Sequence, residues 1–94
     1  MIVRDAPSTG AADYRTASSA TQLLAPQNDR RKSLTIHNTG SVTVYFSNRP
    51  SGATAQGVEI PAGDSYTITA KDAIHVITAG TDCTLKTWEE TYDA

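Results

Sequence analysis

The sequence has little cysteine and no long apolar run. Its 94 residues contain one cysteine, Cys83, so the chain forms no internal disulfide, and two histidines, His37 and His75. These residues have no zinc-ligand spacing, and the longest apolar stretches are too short for a membrane-spanning helix. The segment Met1–Asp5 lacks the apolar core of a signal peptide. We therefore expect synthesis in the cytoplasm, a free thiol and no membrane association.

The residue patterns that accompany catalysis are also missing. The sequence has no Gly-x-Ser-x-Gly nucleophile elbow, and its 6 glycines form no phosphate-binding loop. Asp64, Asp72 and Asp82 fall at predicted turns, where carboxylates usually accept hydrogen bonds from the local backbone. His37 and His75 fall on the exposed sides of two strands, which favours solvated or interfacial side chains over a metal site. We predict a protein that is not an enzyme and takes no cofactor, metal or small-molecule substrate.

The formal charge is negative and unevenly distributed. The net charge is −2, which argues against nucleic-acid binding because phosphates need a basic surface. Residues 1–32 carry five Lys/Arg and three Asp, a balance of +2, whereas residues 33–94 carry three Lys/Arg and seven Asp/Glu, a balance of −4. This distribution fits ordinary solvated charge, or a basic N-terminal part that meets acidic neighbours in an assembly.

Alternating apolar and polar residues, separated by turn residues, indicate an all-β fold. The spacing of the segments predicts a small antiparallel β-sandwich or barrel of about seven short strands. Cys83 and Leu85 share the parity of the core, which predicts a buried, inert thiol. The predicted strands are 16–25, 33–38, 42–47, 58–60, 64–69, 74–79 and 83–90.

Turn residues predict how these strands connect. Thr39-Gly40-Ser41 separates two alternating strands, which predicts a β-hairpin of 33–38 with 42–47. Ala79-Gly80-Thr81-Asp82 predicts a second hairpin, and Ile60-Pro61-Ala62-Gly63 predicts a type I turn. The long segment 48–57 has turn residues and no apolar pattern, which is typical of a functional loop.

The N-terminal residues predict a separate part of the molecule. Residues 1–16 contain Pro7 and Gly10 and have no apolar period, which predicts an extended arm before a sandwich domain at 17–94. So small a domain is marginal alone, so we expect a homo-oligomer. Two interpretations of the arm stay open: a disordered terminus, or an arm that becomes ordered against a neighbouring subunit, for which Ile2, Val3 and Tyr14 are apolar anchors.

Two further features predict an interface. Trp88, Tyr45 and Ile77 have the opposite parity to core residues, which predicts a second, partly apolar face that carries all three. The alternatives are a strand buried on both sides and a β-bulge that resets the parity. The basic triplet Arg30-Arg31-Lys32 is expected to face water or cover a sheet edge.

Several of these segments resemble a module of tailed-bacteriophage virion proteins. The module has the pattern Asn-x-x-Arg-x-x-Leu-x-Ile-x-Asn-x-Gly, a Pro/Ala-Gly-x-Ser-Tyr/Trp turn, an Ile-rich strand that ends in Ala-Gly, and a closing Glu-Glu. The resemblance covers residues 22–90. The corresponding segments here are residues 30–40 with the strand 42–47, residues 61–66, residues 74–80, and Trp88-Glu89-Glu90.

The resemblance implies a small β-sandwich or β-barrel that is either a decoration (cement) protein of the phage capsid or a small domain of a head or tail fibre. We expect a decoration protein on the outer surface of the head, because a fibre normally needs a long shaft. The resemblance then implies the major capsid protein as partner, a location on the virion and, for a protein at a local symmetry axis, a homotrimer. A neck, tail or fibre-attachment protein is the first alternative. The second is a carbohydrate-binding β-sandwich with Trp88 and Tyr45 as its platform. The predicted interface residues are Ile2, Val3, Tyr14, Arg30, Arg31, Lys32, Tyr45, Arg49, Ile77 and Trp88.

Overall fold

The computed structural model describes residues 8–49 and 57–93, and in these residues the chain forms β-strands and no helix. The all-β sandwich predicted from the sequence is confirmed, with eight strands rather than about seven. The strands are β1 (Ser8–Ala17), β2 (Gln22–Ala25), β3 (Arg31–Asn38), β4 (Val44–Ser47), β5 (Val58–Ile60), β6 (Ser65–Ile68), β7 (Ile74–Thr78) and β8 (Cys83–Tyr92).

The strands form two antiparallel sheets that pack face to face. The front sheet has the order β1-β8-β3-β6, and the back sheet has the order β2-β7-β4-β5. This order is that of a jelly roll, in which the chain passes repeatedly from one sheet to the other. Only β4 and β5 are consecutive in sequence and also neighbours in a sheet.

The core lies between the inner faces of the two sheets. Alternate residues of each strand point inward, as the two-residue period of a β-strand requires. Leu34 and Ile36 of β3 are buried, and so are Val44 and Phe46 of β4, as their alternation predicted. The other buried apolar residues are Ala17, Leu24, Ala25, Ile60, Ile68, Ile74, Val76, Cys83 and Leu85.

The two predicted hairpins are wrong, because in both cases the flanking strands lie in different sheets. β3 belongs to the front sheet and β4 to the back sheet, and β7 and β8 are divided in the same way. The predicted strand 16–25 is also divided, into β1 of the front sheet and β2 of the back sheet. Turn residues reverse the chain equally well within a sheet or between sheets, so they do not predict which strands pair.

Asn38 holds the crossing between β3 and β4 in place. Its buried side-chain amide donates to the carbonyl oxygens of Val42 and Ile60, both at 2.8 Å. Its side-chain oxygen accepts the Gly40 N–H and the Cys83 thiol, both at 3.0 Å. The thiol is therefore buried, as predicted, and a Cβ on Gly40 would overlap its sulfur. This network joins β3, β5 and β8 to the connection after β3, in a place where backbone groups lack a sheet partner.

The turn after β5 is displaced by one residue from its prediction. The N–H of Asp64 donates to the carbonyl of Pro61 at 3.0 Å, so the turn runs from Pro61 to Asp64. Gly63 has a φ of 84°, which glycine adopts without strain. The predicted type I turn over 60–63 is therefore wrong.

Residues 8–16, which the sequence places in the N-terminal arm, belong to an extended strand of the front sheet. β1 pairs with β8 along its whole length, from Ser8 opposite Tyr92 to Ala17 opposite Cys83, without a bulge. Most of β1 is exposed, because it lies at the edge of the sheet. Residues 1–7 of the predicted arm lie outside the described residues.

Candidate functional site: the outer face of the front sheet

Trp88 lies at the centre of the outer face of the front sheet. It is directly opposite Ala12 of β1 on one side and Thr35 of β3 on the other. Its side chain is 46% exposed although it stands on a central strand. Small or short side chains on both neighbouring strands leave the indole ring accessible to a partner.

Gly10 fixes how the indole ring lies. A Cβ atom on Gly10 would be 2.6 Å from both Cε2 and Cη2 of Trp88, and closer still to Cζ2 between them. Because three successive ring atoms are so near, the ring meets Gly10 with its face rather than its edge. One face of the indole ring therefore packs against the backbone of β1, and the other face is turned to solvent.

Glu90 and its neighbours support the tryptophan from one side. The indole Nε1–H donates to Glu90 Oε1 at 3.3 Å, and Ser8 Oγ donates to Glu90 Oε2 at 3.2 Å. Lys32 Nζ lies 3.9 Å from the same carboxylate and 6.0 Å from the centre of the Tyr92 ring. These contacts restrict the indole before any partner binds, which lowers the entropy cost of binding.

Tyr14 extends the exposed surface along β1. It lies opposite Lys86, next to the Ala12–Trp88 pair on the same face, and is 59% exposed. Its backbone N–H donates to Asp13 Oδ1 at 2.8 Å. This bond, together with the Arg15 guanidinium, holds the pKa of Asp13 below its usual value. Tyr14 and Trp88, with the small residues between them, thus form the outer aromatic surface of the front sheet.

The rest of this face is polar and internally hydrogen-bonded. Thr35 Oγ1 and Thr67 Oγ1 are 3.0 Å apart, and His37 Nδ1 is 2.7 Å from Ser65 Oγ. Both pairs are cross-strand neighbours between β3 and β6. The aromatic side chains of this face therefore lie on β1 and β8, together with the charged Lys86 and Glu90, whereas its part on β3 and β6 is polar throughout.

The basic triplet is not a single exposed patch, and its expected exposure is wrong for Arg31. The Arg31 side chain is fully buried and donates to Glu89 Oε2 at 2.6 Å. It also donates to the carbonyl oxygens of Ala70 at 2.8 Å, Asp72 at 2.7 Å and Pro26 at 3.0 Å. A partner cannot reach this guanidinium, because it ties β3 to β8 and to the loops beside β2 and β7.

The other two cations of the triplet lie nearer the surface. Arg30 is exposed and donates from Nε to the carbonyl of Tyr92 at 3.0 Å. Lys32 is half-buried, and its Nζ lies 3.9 Å from Glu90 Oε2 of β8. Both therefore lie near the C-terminal part of β8, beside the outer aromatic surface.

Tyr45 and Ile77 do not share a face with Trp88, so the predicted common face is wrong. Tyr45 of β4 lies directly opposite Ile77 of β7, and both belong to the back sheet. Each alternates with buried residues and is half-buried, which places the pair on the outer side of that sheet. The sandwich core separates them from Trp88. Parity alone cannot reveal this, because it does not say to which sheet a strand belongs.

Three other predicted interface residues lie away from this face or outside the described residues. Arg49 is exposed just after β4, and its backbone N–H donates to Ser47 Oγ at 3.2 Å. Ile2 and Val3 lie outside the described residues. The predicted loop 48–57 is described only at its two ends, 48–49 and 57.

The described residues show no group of three His, Cys, Asp or Glu side chains placed to hold a metal ion. His75 lies on β7, opposite Leu23 of β2 and Ser47 of β4, whereas His37 lies on the front sheet. Within 8–49 and 57–93, no helix is long and apolar enough to cross a membrane.

Gly10 and Ala12 are the residues of this site that the sequence analysis missed. Their importance comes from their position beside Trp88, which depends on the register between β1 and β8. The signal in the sequence is the run Gly10-Ala11-Ala12 within an otherwise polar segment. By itself that run is typical of a flexible arm, and only the pairing of β1 with β8 shows its position beside Trp88.

Comparison with known proteins shows similarity of fold. The sequence matches no protein-family model and no curated protein sequence at a significant level. A transcriptional regulator of the HTH_3 family from Vibrio cholerae is similar in structure with a TM-score of 0.66 and 10% identity over 90% of this chain. The stem and receptor-binding domain of the spike protein P1 from bacteriophage PM2 gives a TM-score of 0.63 and 12% identity over 86% of this chain.

A third similar structure is from Bacillus endospore appendages, described as a family of disulfide-linked pili. Its TM-score is 0.52, with 15% identity over 94% of this chain and 88% of that one. The chain spans only 44% of the regulator and 32% of the spike structure. At these identities the similarity shows the β-sandwich fold alone, and one fold hosts many functions.

Proposed function

We propose that this protein is a structural protein of a bacteriophage virion, a decoration protein that binds the outer surface of the assembled head. The proposal rests on the resemblance of residues 22–90 to the virion module. It is supported by the similarity in fold to a domain of a phage spike protein. The major capsid protein would be the partner.

The observation that carries the proposal is the outer aromatic surface of the front sheet. Trp88 is half-exposed, held by Gly10 and Glu90, and flanked by the exposed Tyr14. Pre-organised aromatic side chains with polar neighbours are typical of the centres of protein interfaces. Such a surface suits attachment to another protein better than chemistry on a small molecule.

The mechanism is thermodynamic linkage. A protein that binds the assembled shell and not its free subunits stabilises the shell by RT ln(1 + [L]/Kd), which is about 2.7 kcal/mol per site at a hundredfold excess over Kd. Many such sites on one shell add their contributions. Decorated heads should therefore resist heat and internal pressure better than bare heads.

Co-sedimentation with purified heads of the phage that encodes the protein tests the proposal. The wild-type chain should bind heads at a fixed saturating ratio, and Trp88→Ala should weaken binding at least tenfold. Tyr45→Ala is the matched control, because it removes an aromatic from the opposite face and should bind like the wild type. Equal loss in both variants, or no binding of the wild type, would contradict the proposal.

A neck, tail or fibre-attachment protein is the second candidate, and the fold of the phage spike domain favours it. Fractionation of disrupted virions separates the two candidates. A decoration protein stays with the shells, whereas an attachment protein stays with tails or with fibres.

The carbohydrate platform built from Trp88 and Tyr45 is wrong, because these residues lie on opposite sides of the sandwich. Glycan binding by Trp88 without Tyr45 would need a different platform. A glycan array tests this function. If the wild type and Tyr45→Ala bind a glycan and Trp88→Ala does not, carbohydrate binding would replace the decoration proposal.

A further inference from the structure

The free edge of β1 has the features of a pairing surface for an identical strand. β1 is a ten-residue strand at the border of the front sheet, paired with β8 on its other side. Among residues 8–49 and 57–93, no strand pairs with its outer edge. Its backbone is regular, without the bulge or proline that often blocks such an edge.

Charges on the inner side of an edge strand usually oppose pairing with another strand, and those of β1 do so in some registers but not in all. Asp13 and Arg15 are two residues apart, so both side chains lie on the inner side of the strand, where Arg15 Nη2 donates to the carbonyl of Leu23 at 2.8 Å. Within the chain, Arg15 Nη1 is 3.2 Å from Asp13 Oδ2. Their side chains remain 42% and 58% exposed respectively, so both are accessible to a second chain.

We propose that β1 pairs with β1 of a second copy of this chain, antiparallel and about a two-fold axis at Tyr14. Edge-to-edge pairing of identical antiparallel strands needs a two-fold axis perpendicular to the sheet, so residues opposite each other share a face. With the axis at residue 14, Asp13 of each copy lies opposite Arg15 of the other. Residues 11–17 of one copy pair with residues 17–11 of the second.

Neighbouring registers are disfavoured by the same charges. An axis at residue 13 places the two Asp13 carboxylates opposite each other, and an axis at residue 15 does the same for the two Arg15 guanidinium groups. Like charges in directly opposite positions destabilise a strand pair. The axis at Tyr14 instead gives two opposite-charge pairs and brings the two tyrosines together on the outer face. Asp13 and Arg15 thus disfavour pairing about an axis at residue 13 or residue 15, and they favour pairing about an axis at Tyr14.

The pairing joins the front sheets of two copies into one continuous sheet of eight strands. Because the axis is perpendicular to this sheet, both outer aromatic surfaces face the same way, with a Tyr14 pair between the two Trp88 residues. The dimer would double the surface available to a partner. The inference does not depend on the virion role, because it follows from the edge of β1 alone.

Charge exchange tests the pairing through mass measured by light scattering over a dilution series. The wild type should be a dimer and not the homotrimer that the resemblance to the virion module implies. Asp13→Arg places two arginines opposite each other and Arg15→Asp places two aspartates opposite each other, so each variant alone should be monomeric. An equimolar mixture of the two variants should form a heterodimer, because every opposing pair is again Asp with Arg. The double variant Asp13→Arg/Arg15→Asp should dimerise like the wild type.

Matched controls place the same charge changes elsewhere. Asp82→Arg and Arg49→Asp alter exposed residues outside β1, and both should remain dimers. Circular dichroism of each variant shows whether it is folded. A monomeric or trimeric wild type, single variants that remain dimers, or a mixture that stays monomeric would each overturn the proposal. None of these results depends on whether the protein binds phage heads.

Discussion

The indole ring of Trp88 rests with its face against the backbone of Gly10, across the β1–β8 pair. A Cβ atom at residue 10 would overlap three consecutive ring atoms, so the ring can lie there only because residue 10 is glycine. The glycine is thus needed for close approach of a side chain and not for an unusual backbone conformation. This relationship connects the small residues of β1 to the exposure of the tryptophan.

Gly10→Ala should displace the indole ring. Because Trp88 is the one tryptophan of the chain, its fluorescence reports the change directly. We expect emission at longer wavelength and faster quenching by iodide, since the ring must lift from the strand into water. Ala11→Val is the control, because residue 11 points to the other side of β1 and should leave the emission unchanged. Identical spectra for Gly10→Ala and the wild type would contradict this account of the ring.

Arg31→Ala should be strongly destabilising. It removes a buried cation that satisfies one carboxylate and three carbonyl groups, so the free energy of unfolding should fall by about 3–5 kcal/mol. Arg30→Ala, which removes an adjacent but exposed guanidinium, should cost about 1 kcal/mol. Urea denaturation of both variants gives the comparison. Equal losses in the two would mean that burial of Arg31 contributes little.

Asn38→Ala should loosen the crossing between β3 and β4. The carbonyl groups of Val42 and Ile60 would lose their donor, at a cost of at least about 2 kcal/mol. The Cys83 thiol would also lose its short bond to the Asn38 side chain and retain the carbonyl groups of Val42 at 3.4 Å and Thr84 at 3.8 Å, so its reaction with a disulfide reagent should become faster. Ser41→Ala, in the same connection but exposed, should change stability by less than about 0.5 kcal/mol. An unchanged thiol reaction rate in Asn38→Ala would contradict the proposed network.

Thr78→Val should stabilise the protein. The Thr78 hydroxyl is buried, and it has no hydrogen-bond partner among the described residues. Its replacement by a methyl group of similar size removes an unsatisfied polar atom, for a gain of about 1 kcal/mol. Thr35→Val is the control, since that hydroxyl is bonded to Thr67. A lower melting temperature for Thr78→Val would show that the hydroxyl has a partner after all.

The sequence predicted which residues face the core but not how the strands are arranged. Alternation placed Leu34, Ile36, Val44 and Phe46 inward, because a half-buried strand has a strict two-residue period. The hairpin prediction failed because the Thr39–Ser41 connection crosses between the sheets. That crossing depends on the buried Asn38 amide, which donates to Val42 four residues further on and to Ile60 in β5. No local pattern contains the contact with Ile60.

The candidate site was predicted in part. Trp88 and Tyr14 were both selected from the sequence, and the structure places them on the same face. Arg31 could not be distinguished from Arg30 and Lys32, because its burial depends on carbonyl groups and a carboxylate from distant segments. The separation of Tyr45 from Trp88 likewise follows only from strand order.

The most direct measurement is an electron cryomicroscopy reconstruction of phage heads saturated with the protein. The account predicts a β-sandwich on the outside of the shell, with Trp88 and Tyr14 facing the capsid and Tyr45 and Ile77 facing away. Density at the neck or tail, a shell contact made by the back sheet, or bare heads would contradict the central claim.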